Sequence, residues 1–257
     1  MQGLVLIKLG GSVVTFKDRP LTANVDAING ISRALSKIRM AMAIVHGGGS
    51  YGHYWSVRYG MHTKPARYDI QGISVVHESM VALNQIIVNS MIKEGLSPYG
   101  MPPSVFMTAG RKPIISKIKV ISTIAKSKAV PVTFGDIVHV CDSKYSILSG
   151  DVIMTLLAMV LRPSKIIFAT NVDGIFKNMK DRDLVPEITW SSKKTVEFLN
   201  AAGTDVTGGM QRKITEAFKI ASNGMDVFMV NGLVPERIVQ AAAGMNVVGT
   251  VIKRRKG

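Results

Sequence analysis

The sequence predicts an α/β protein, a three-layer αβα sandwich with a mainly parallel open sheet, and three observations predict it. Short apolar runs at residues 4–9, 41–45, 130–134, 165–169, 225–230 and 247–252 alternate with stretches of helical periodicity, as strands joined by crossover helices do. Glycines follow several of these runs, at the carboxyl ends of strands where parallel sheets gather their ligands. A chain of 257 residues, 47% of them hydrophobic, supplies a large core and shows no linker, repeat or low-complexity segment, so a single bilobal domain is expected.

Each element has a local reason. Residues 4–9 form a strand carrying one lysine, Lys8, just before Gly10-Gly11-Ser12. A buried ammonium needs a partner, so Lys8 either points at a bound phosphate or sits on the wet face of an edge strand. Lys17, in the following loop, is surface charge or a second phosphate contact. Residues 24–38 place Ala27, Ile28, Ile31, Ala34, Leu35 and Ile38 on one helical stripe. Residues 69–94 form a longer helix with Ile73, Val76, Met80, Leu83, Ile87 and Met91 on its core side, and His77 there reads as a hydrogen-bonded helix residue rather than a catalyst.

Prolines break residues 98–103, residues 112–116 read as a short strand, and residues 118–128 as a helix. The strand at 130–134 ends in Gly135-Asp136, and a hairpin turning at Asp142-Ser143 delivers Ser149-Gly150-Asp151 to the helix at 152–161. Asp151 either caps that helix or orients lysines around a transferring phosphate. Thr170-Asn171-Val172-Asp173-Gly174 ends the next strand, a helix is expected at 193–201, and residues 204–209 open the helix that carries Lys213. Residues 235–243 form a helix with proline at its start, and 247–252 is the closing strand.

The run His46-Gly47-Gly48-Gly49-Ser50-Tyr51-Gly52-His53 joins a buried strand to a helix. Glycine lets the main chain approach a ligand, and the positive end of the helix favours an anion. Gly47, Gly49 and Gly52 match G-x-G-x-x-G, and Gly47 to Gly52 has Walker spacing. His53 and Tyr54 stand where a Walker loop needs Lys and Ser or Thr, and Asp69 precedes a helix instead of ending a strand as a dinucleotide fingerprint requires. The loop is therefore a general anion cradle, with His53 as its unusual member.

Composition narrows the classes further. The one cysteine, Cys141, forms no internal disulfide and suggests a reducing, cytoplasmic setting, and with His139 and Asp142 it lacks the second ligand pair of a zinc site. The apolar run at 152–161 is short of the ~20 residues of a membrane span, and residues 1–17 lack the features of a signal peptide. The net charge of +15 comes with a basic cluster only at Lys253-Arg254-Arg255-Lys256 and with 6% aromatic residues, too few for a base-stacking platform. Neither nucleic acid nor a membrane is an expected partner; the charge reads as a solvated surface that draws in anionic substrates.

Taken together, Lys8 to Ser12, His46 to Gly49, Gly135-Asp136, Ser149 to Asp151, Thr170 to Gly174 and Asp205-Val206-Thr207-Gly208-Gly209-Met210 resemble the amino acid kinase superfamily over nearly the whole chain. His53 with the Asp205 to Met210 string is similar to the isopentenyl phosphate kinase family in particular. The resemblance implies the amino acid kinase fold, ATP and Mg²⁺ as cofactors, a small prenyl monophosphate as substrate, and a homodimer. It implies an acceptor-binding part at about 1–150 and a nucleotide-binding part at about 151–257.

By that resemblance Lys8, His53, Asp151 and Lys213 are the catalytic set, with Gly47, Gly48, Gly49, Gly52 and Gly150 around the acceptor phosphate. Gly10, Gly11, Lys17, Thr170, Asp173, Gly174, Thr207, Gly208 and Gly209 fall to the nucleotide, and no residue is assigned to a metal. Ile73, Val76 and Ile147 are expected either as the wall of an apolar slot for the acceptor tail or as plain core. Two positions depart from the family pattern: Val152 stands where a second acid is common, and Phe16 where an acid usually precedes the lysine. Fosfomycin kinase is the nearest alternative, followed by a catalytically silent nucleotide-binding protein on the same scaffold.

Overall fold

The computed structural model describes residues 3–107, 113–177, 183–190 and 209–255. Among them, eight strands form one sheet in the order β3 (Pro98–Gly100), β4 (Val130–Phe134), β2 (Met42–His46), β1 (Val5–Leu9), β7 (Lys165–Thr170), β9 (Val227–Asn231), β10 (Gly249–Ile252) and β8 (Glu187–Ile188). The first six run parallel; β10 pairs antiparallel with β9, and β8 runs parallel to β10. The predicted sandwich on a mainly parallel sheet is thus the fold observed. β5 (Asp136–Cys141) and β6 (Lys144–Leu148) form the separate antiparallel hairpin expected from the sequence, with Asp142 in the left-handed region at its turn.

Strand alternation divides the core. Leu6, Val45 and Phe168 pack against α5 (Ile115–Lys126), α6 (Gly150–Leu161) and the helix here called α7 (Gly209–Ser222). Val5, Ile7, Leu9 and Ile44 pack against α2 (Val25–Leu35), α4 (Ile70–Lys93) and α8 (Glu236–Ala243) on the other face. Two short-range signals fix helix starts: the Asn24 and Asp69 side chains accept from the N–H groups of Ala27 and Gly72, at 3.2 and 3.0 Å.

Some expectations need correction. The proline-broken segment contains β3, an edge strand, where a proline without a ladder donor is tolerated. Pro113 only bridges to Met107 and α5 already begins at Ile115, so the described part of the expected strand at 112–116 is not a strand. The two-residue strand β8 had no visible pattern. The helix expected at 193–201 lies outside the described residues. No helix among them is long and apolar enough to cross a membrane.

Candidate functional site

Lys8 is the last inward-facing residue of the row that begins with Leu6, and β1 is a central strand with β2 and β7 on either side. That removes the edge-strand alternative: Lys8 is only 3% exposed. Its partner comes from α6. Ser149 caps that helix, its hydroxyl accepting from the Val152 N–H at 3.3 Å, so Asp151 is released from capping and turns its carboxylate to the Lys8 ammonium. Gly150 makes the approach possible, because a Cβ there would stand 3.0 Å from the His46 carbonyl oxygen and 3.4 Å from Lys8 Cε.

Asp151 collects three cations. Oδ1 takes Lys8, while Oδ2 lies 3.4 Å from Arg212 Nε and 4.0 Å from Lys213 Nζ. Burial works to raise the Asp151 pKa, but Lys8, Lys213 and Arg212 together overcome it and hold the carboxyl below its ordinary value. Lys8 is pushed down by burial, offset in part by Asp151. Lys213 is lowered to about 8, first by burial and then by Lys8, Arg212 and Lys17, against the pull of Asp151. One carboxylate thus answers for three positive groups, and the remaining positive charge faces a cleft of about 920 Å³.

The other side of the cleft is the glycine run. α3 (Gly49–Arg58) begins inside this run, and Gly47, Gly48, Gly49 and Gly52 border the cleft at its start. These glycines have a second reason for being glycine. A Cβ on Gly11 would stand 2.3 Å from the Gly49 nitrogen, one on Gly47 2.7 Å from the Gly11 nitrogen, and Gly49 has φ +48°. The loops after β1 and β2 therefore lie backbone against backbone. Thr15 locks them: its hydroxyl accepts from the Ser50 N–H at 2.9 Å and donates to the Gly11 carbonyl at 2.8 Å.

His53 projects from α3 into the same cleft as Lys8. Loss of hydration, then the charges of Arg212, Lys17 and Lys213, hold its imidazole below the ordinary value. His46, by contrast, is structural: fully buried, stacked on Phe134 at 5.2 Å, hydrogen-bonded to Asn84, and pushed down to about 4 by burial. His77 pairs with Asp136 at 2.7 Å, as a hydrogen-bonded helix residue. That pairing raises the imidazole pKa despite burial, while burial raises the Asp136 pKa despite the pairing.

Of the residues singled out from sequence, the cleft brings together Lys8, Gly11, Lys17, Gly47, Gly48, Gly49, Gly52, His53, Val76, Ile147, Gly150, Asp151, Thr170, Gly174, Gly209 and Lys213. Three fall elsewhere. Gly10 caps the short helix α1 (Gly11–Val14), and a Cβ on it would stand 2.9 Å from the Ala169 carbonyl oxygen. Asp173 turns its carboxylate away to Arg237 and Asn231. Ile73 does not border the cleft and packs in a small cluster with Met61, Val76, Ile137 and four aromatic residues. Thr207 and Gly208 lie outside the described residues.

Sequence reasoning missed Arg212, Ser12, Asn171, Met61, Met80 and Lys177, all on the cleft. Met80 was within reach, since it shares a helical face with Val76 four residues before it. Arg212 was not: neighbours in a helix do not share a face, and only the docking of the α7 start over Asp151 lets Arg212 and Lys213 serve one carboxylate. Among the described residues no group of three His, Cys, Asp or Glu side chains is arranged for a metal. Val152, where a second acid was expected, packs against the core.

Three comparisons can be set against this geometry. The model of the amino acid kinase family matches residues 3–231. Isopentenyl phosphate kinase of Thermoplasma acidophilum is 33% identical over 251 residues, 97% of this chain and 100% of the relative, and that of Methanothermobacter thermautotrophicus is 33% identical over 266 residues, 97% and 98% of the two chains. A crystal structure of an isopentenyl phosphate kinase superposes with a TM-score of 0.81 at 28% identity, covering 97% of this chain and 100% of the other.

Proposed function

The chain belongs to the amino acid kinase family, among its isopentenyl phosphate kinases, and on that premise we propose how its cleft phosphorylates isopentenyl phosphate with ATP to give isopentenyl diphosphate and ADP. An oxygen of the acceptor phosphate forms a bond to the γ-phosphorus of ATP. The bond from that phosphorus to the bridging oxygen breaks, and its electron pair stays on the β-phosphate of ADP. The attacking oxygen is already anionic near neutral pH, so no residue has to remove a proton. The obstacle is repulsion between two anions, which preassembled cations and N–H groups offset.

The observation that carries this proposal is that Lys8 and His53 open on one continuous cleft, cationic around Asp151 and apolar beyond it. Lys8, held by Asp151, spans the transferring group; Lys17 and Lys213 face the ATP phosphates; His53 and the Gly48 N–H hold the acceptor phosphate, with Gly47, whose own N–H is donated to the Leu9 carbonyl at 2.9 Å, and Gly49, Gly52 and Gly150 giving it room. Gly11, Thr170, Gly174 and Gly209 border the nucleotide, the last with Thr207 and Gly208, and Asp173 acts there only through its partners. Apart from Gly11 and Lys17, residues from about 151 onward supply the nucleotide side and earlier ones the acceptor side.

Val76 and Ile147, joined by Met61 and Met80, make an apolar wall suited to a prenyl tail, which favours this acceptor over a small phosphonate such as fosfomycin. The Asp151 carboxylate is taken by Lys8 and Arg212, and no other acid stands beside it in the sequence, so the described residues do not fit a protein-held Mg²⁺. Mg²⁺ belongs to this scheme as part of the MgATP substrate, coordinated by phosphates. Assembly as a homodimer completes the proposal and is read from the molar mass in solution.

The test offers the purified protein ATP, Mg²⁺ and, separately, isopentenyl phosphate, dimethylallyl phosphate, geranyl phosphate, fosfomycin, uridylate and acetylglutamate, with products read by ³¹P NMR. Isopentenyl diphosphate is expected as the dominant product. Turnover of fosfomycin, uridylate or acetylglutamate without isopentenyl phosphate would overturn the proposal.

A further inference from the structure

Arg212 borders the cleft beside Asp151, and the division of labour above leaves it without a task. It stands in the first turn and a half of α7 and reaches Asp151 through Nε at 3.4 Å, the inner nitrogen of the guanidinium. The two outer nitrogens are left to meet another planar or tetrahedral oxyanion in the forked manner that arginine favours. The side chain is 42% exposed, against 14% for Lys213 and 3% for Lys8, so of the cations on this carboxylate that border the cleft it has the most freedom to move.

It also lines the cleft that holds Lys8 and His53. Arg212 touches the carboxylate that holds Lys8, and of the charges acting on His53, on the acceptor side, Arg212 is the largest. Lys8, Asp151, His53 and Arg212 border one cleft, the one in which the phosphoryl group is transferred. Asp151 does not need it as a counter-ion, because Lys8 is already paired there and Lys213 stands 4.0 Å away.

We propose that Arg212 is a further catalytic residue: it leaves Asp151 when both substrates are bound and places its outer guanidinium edge on the equatorial oxygens of the transferring phosphoryl group, an arginine finger supplied by the chain itself. This rests on the phosphotransfer proposal above. In the loose transition state of such transfers, charge is spread over those oxygens, and a cation that meets them only there raises the rate without tightening the ground state. The bonds made and broken are those already given, and no proton moves.

Arg212→Gln and Arg212→Lys are compared with wild type at saturating MgATP and isopentenyl phosphate. Arg212→Gln is expected to lose about 10²-fold in kcat with both KM values within about threefold, and Arg212→Lys, which keeps the charge and loses the fork, to lose about tenfold. MgADP with aluminium fluoride and isopentenyl phosphate, a mimic of the planar phosphoryl group, should bind Arg212→Gln about 10²-fold more weakly while MgADP alone binds equally. An unchanged kcat, or a raised KM at unchanged kcat, overturns the inference. If Arg212→Gln does not fold, the same readings on Arg212→Lys decide it. Absence of turnover by the wild type would instead strike the parent proposal, so the two failures are told apart.

Discussion

Replacing Asp151 by Asn removes the one negative charge shared by Lys8, Arg212 and Lys213. Asp151 is 2% and Lys8 3% exposed, so the ammonium left behind has neither water nor a counter-ion. Breaking a buried pair from one side costs roughly 3–5 kcal/mol, and Lys8, whose pKa burial already lowers, escapes part of that by losing its proton. Taking about 3 kcal/mol, and about 2–4 °C per kcal/mol for a domain of this size, the midpoint should fall by roughly 6–12 °C. Calorimetry of the ligand-free protein at pH 7 measures it, alongside Lys8→Met/Asp151→Leu. In that double variant the pair is replaced by apolar groups, so stability should return toward wild type while turnover does not. A single variant that melts within about 2 °C of wild type, or a double variant no more stable than the single, would show that Asp151 is not the buried counter-ion on which Lys8 depends.

Lys213 links nucleotide binding to pH. With its pKa lowered to about 8 in the folded protein and near 10.4 when unfolded, the unfolded chain binds more protons between those values, so this group's contribution to stability rises as pH rises through that window. Phosphates restore the charge, so MgADP binding at pH 8.5 should take up protons, seen by calorimetry in buffers of different ionisation enthalpy; equal heats in all buffers would refute it, and Lys213→Met should abolish the uptake. Gly11→Ala puts a methyl 2.3 Å from the Gly49 nitrogen, a backbone atom that cannot swing aside, and should lower the melting point by several degrees and weaken phosphate binding; an unchanged melting curve would mean that the two loops are not docked. Ile147→Phe fills the apolar wall and should raise the isopentenyl phosphate KM about tenfold with the ATP KM unchanged, whereas equal KM values would move the tail elsewhere.

Strand and helix alternation, the helix starts at Asn24 and Asp69, and the glycines at strand ends are local, and these were readable from the chain alone because period and turn chemistry depend on neighbours in sequence. The same locality, with the resemblance of its motifs, led to Lys8, His53, Asp151 and Lys213 as one site, and these four do border one cleft. The two-residue β8 was beyond reach because its pairing comes only from β10, more than sixty residues on.

What tertiary structure alone decided is which face each charge meets. Lys8 could have been wet or buried until β7 was seen to cover the other side of β1; Asp151 could have capped its helix until Ser149 was seen to do so. Asp173 carried a motif position but gave its carboxylate to Arg237, and Ile73 carried the right periodicity but does not border the cleft. Arg212 had no pattern at all. Periodicity assigns a side chain to a face, but the electrostatics of a cleft depend on segments 61 or 143 residues apart arriving at one carboxylate, and that meeting is set by packing.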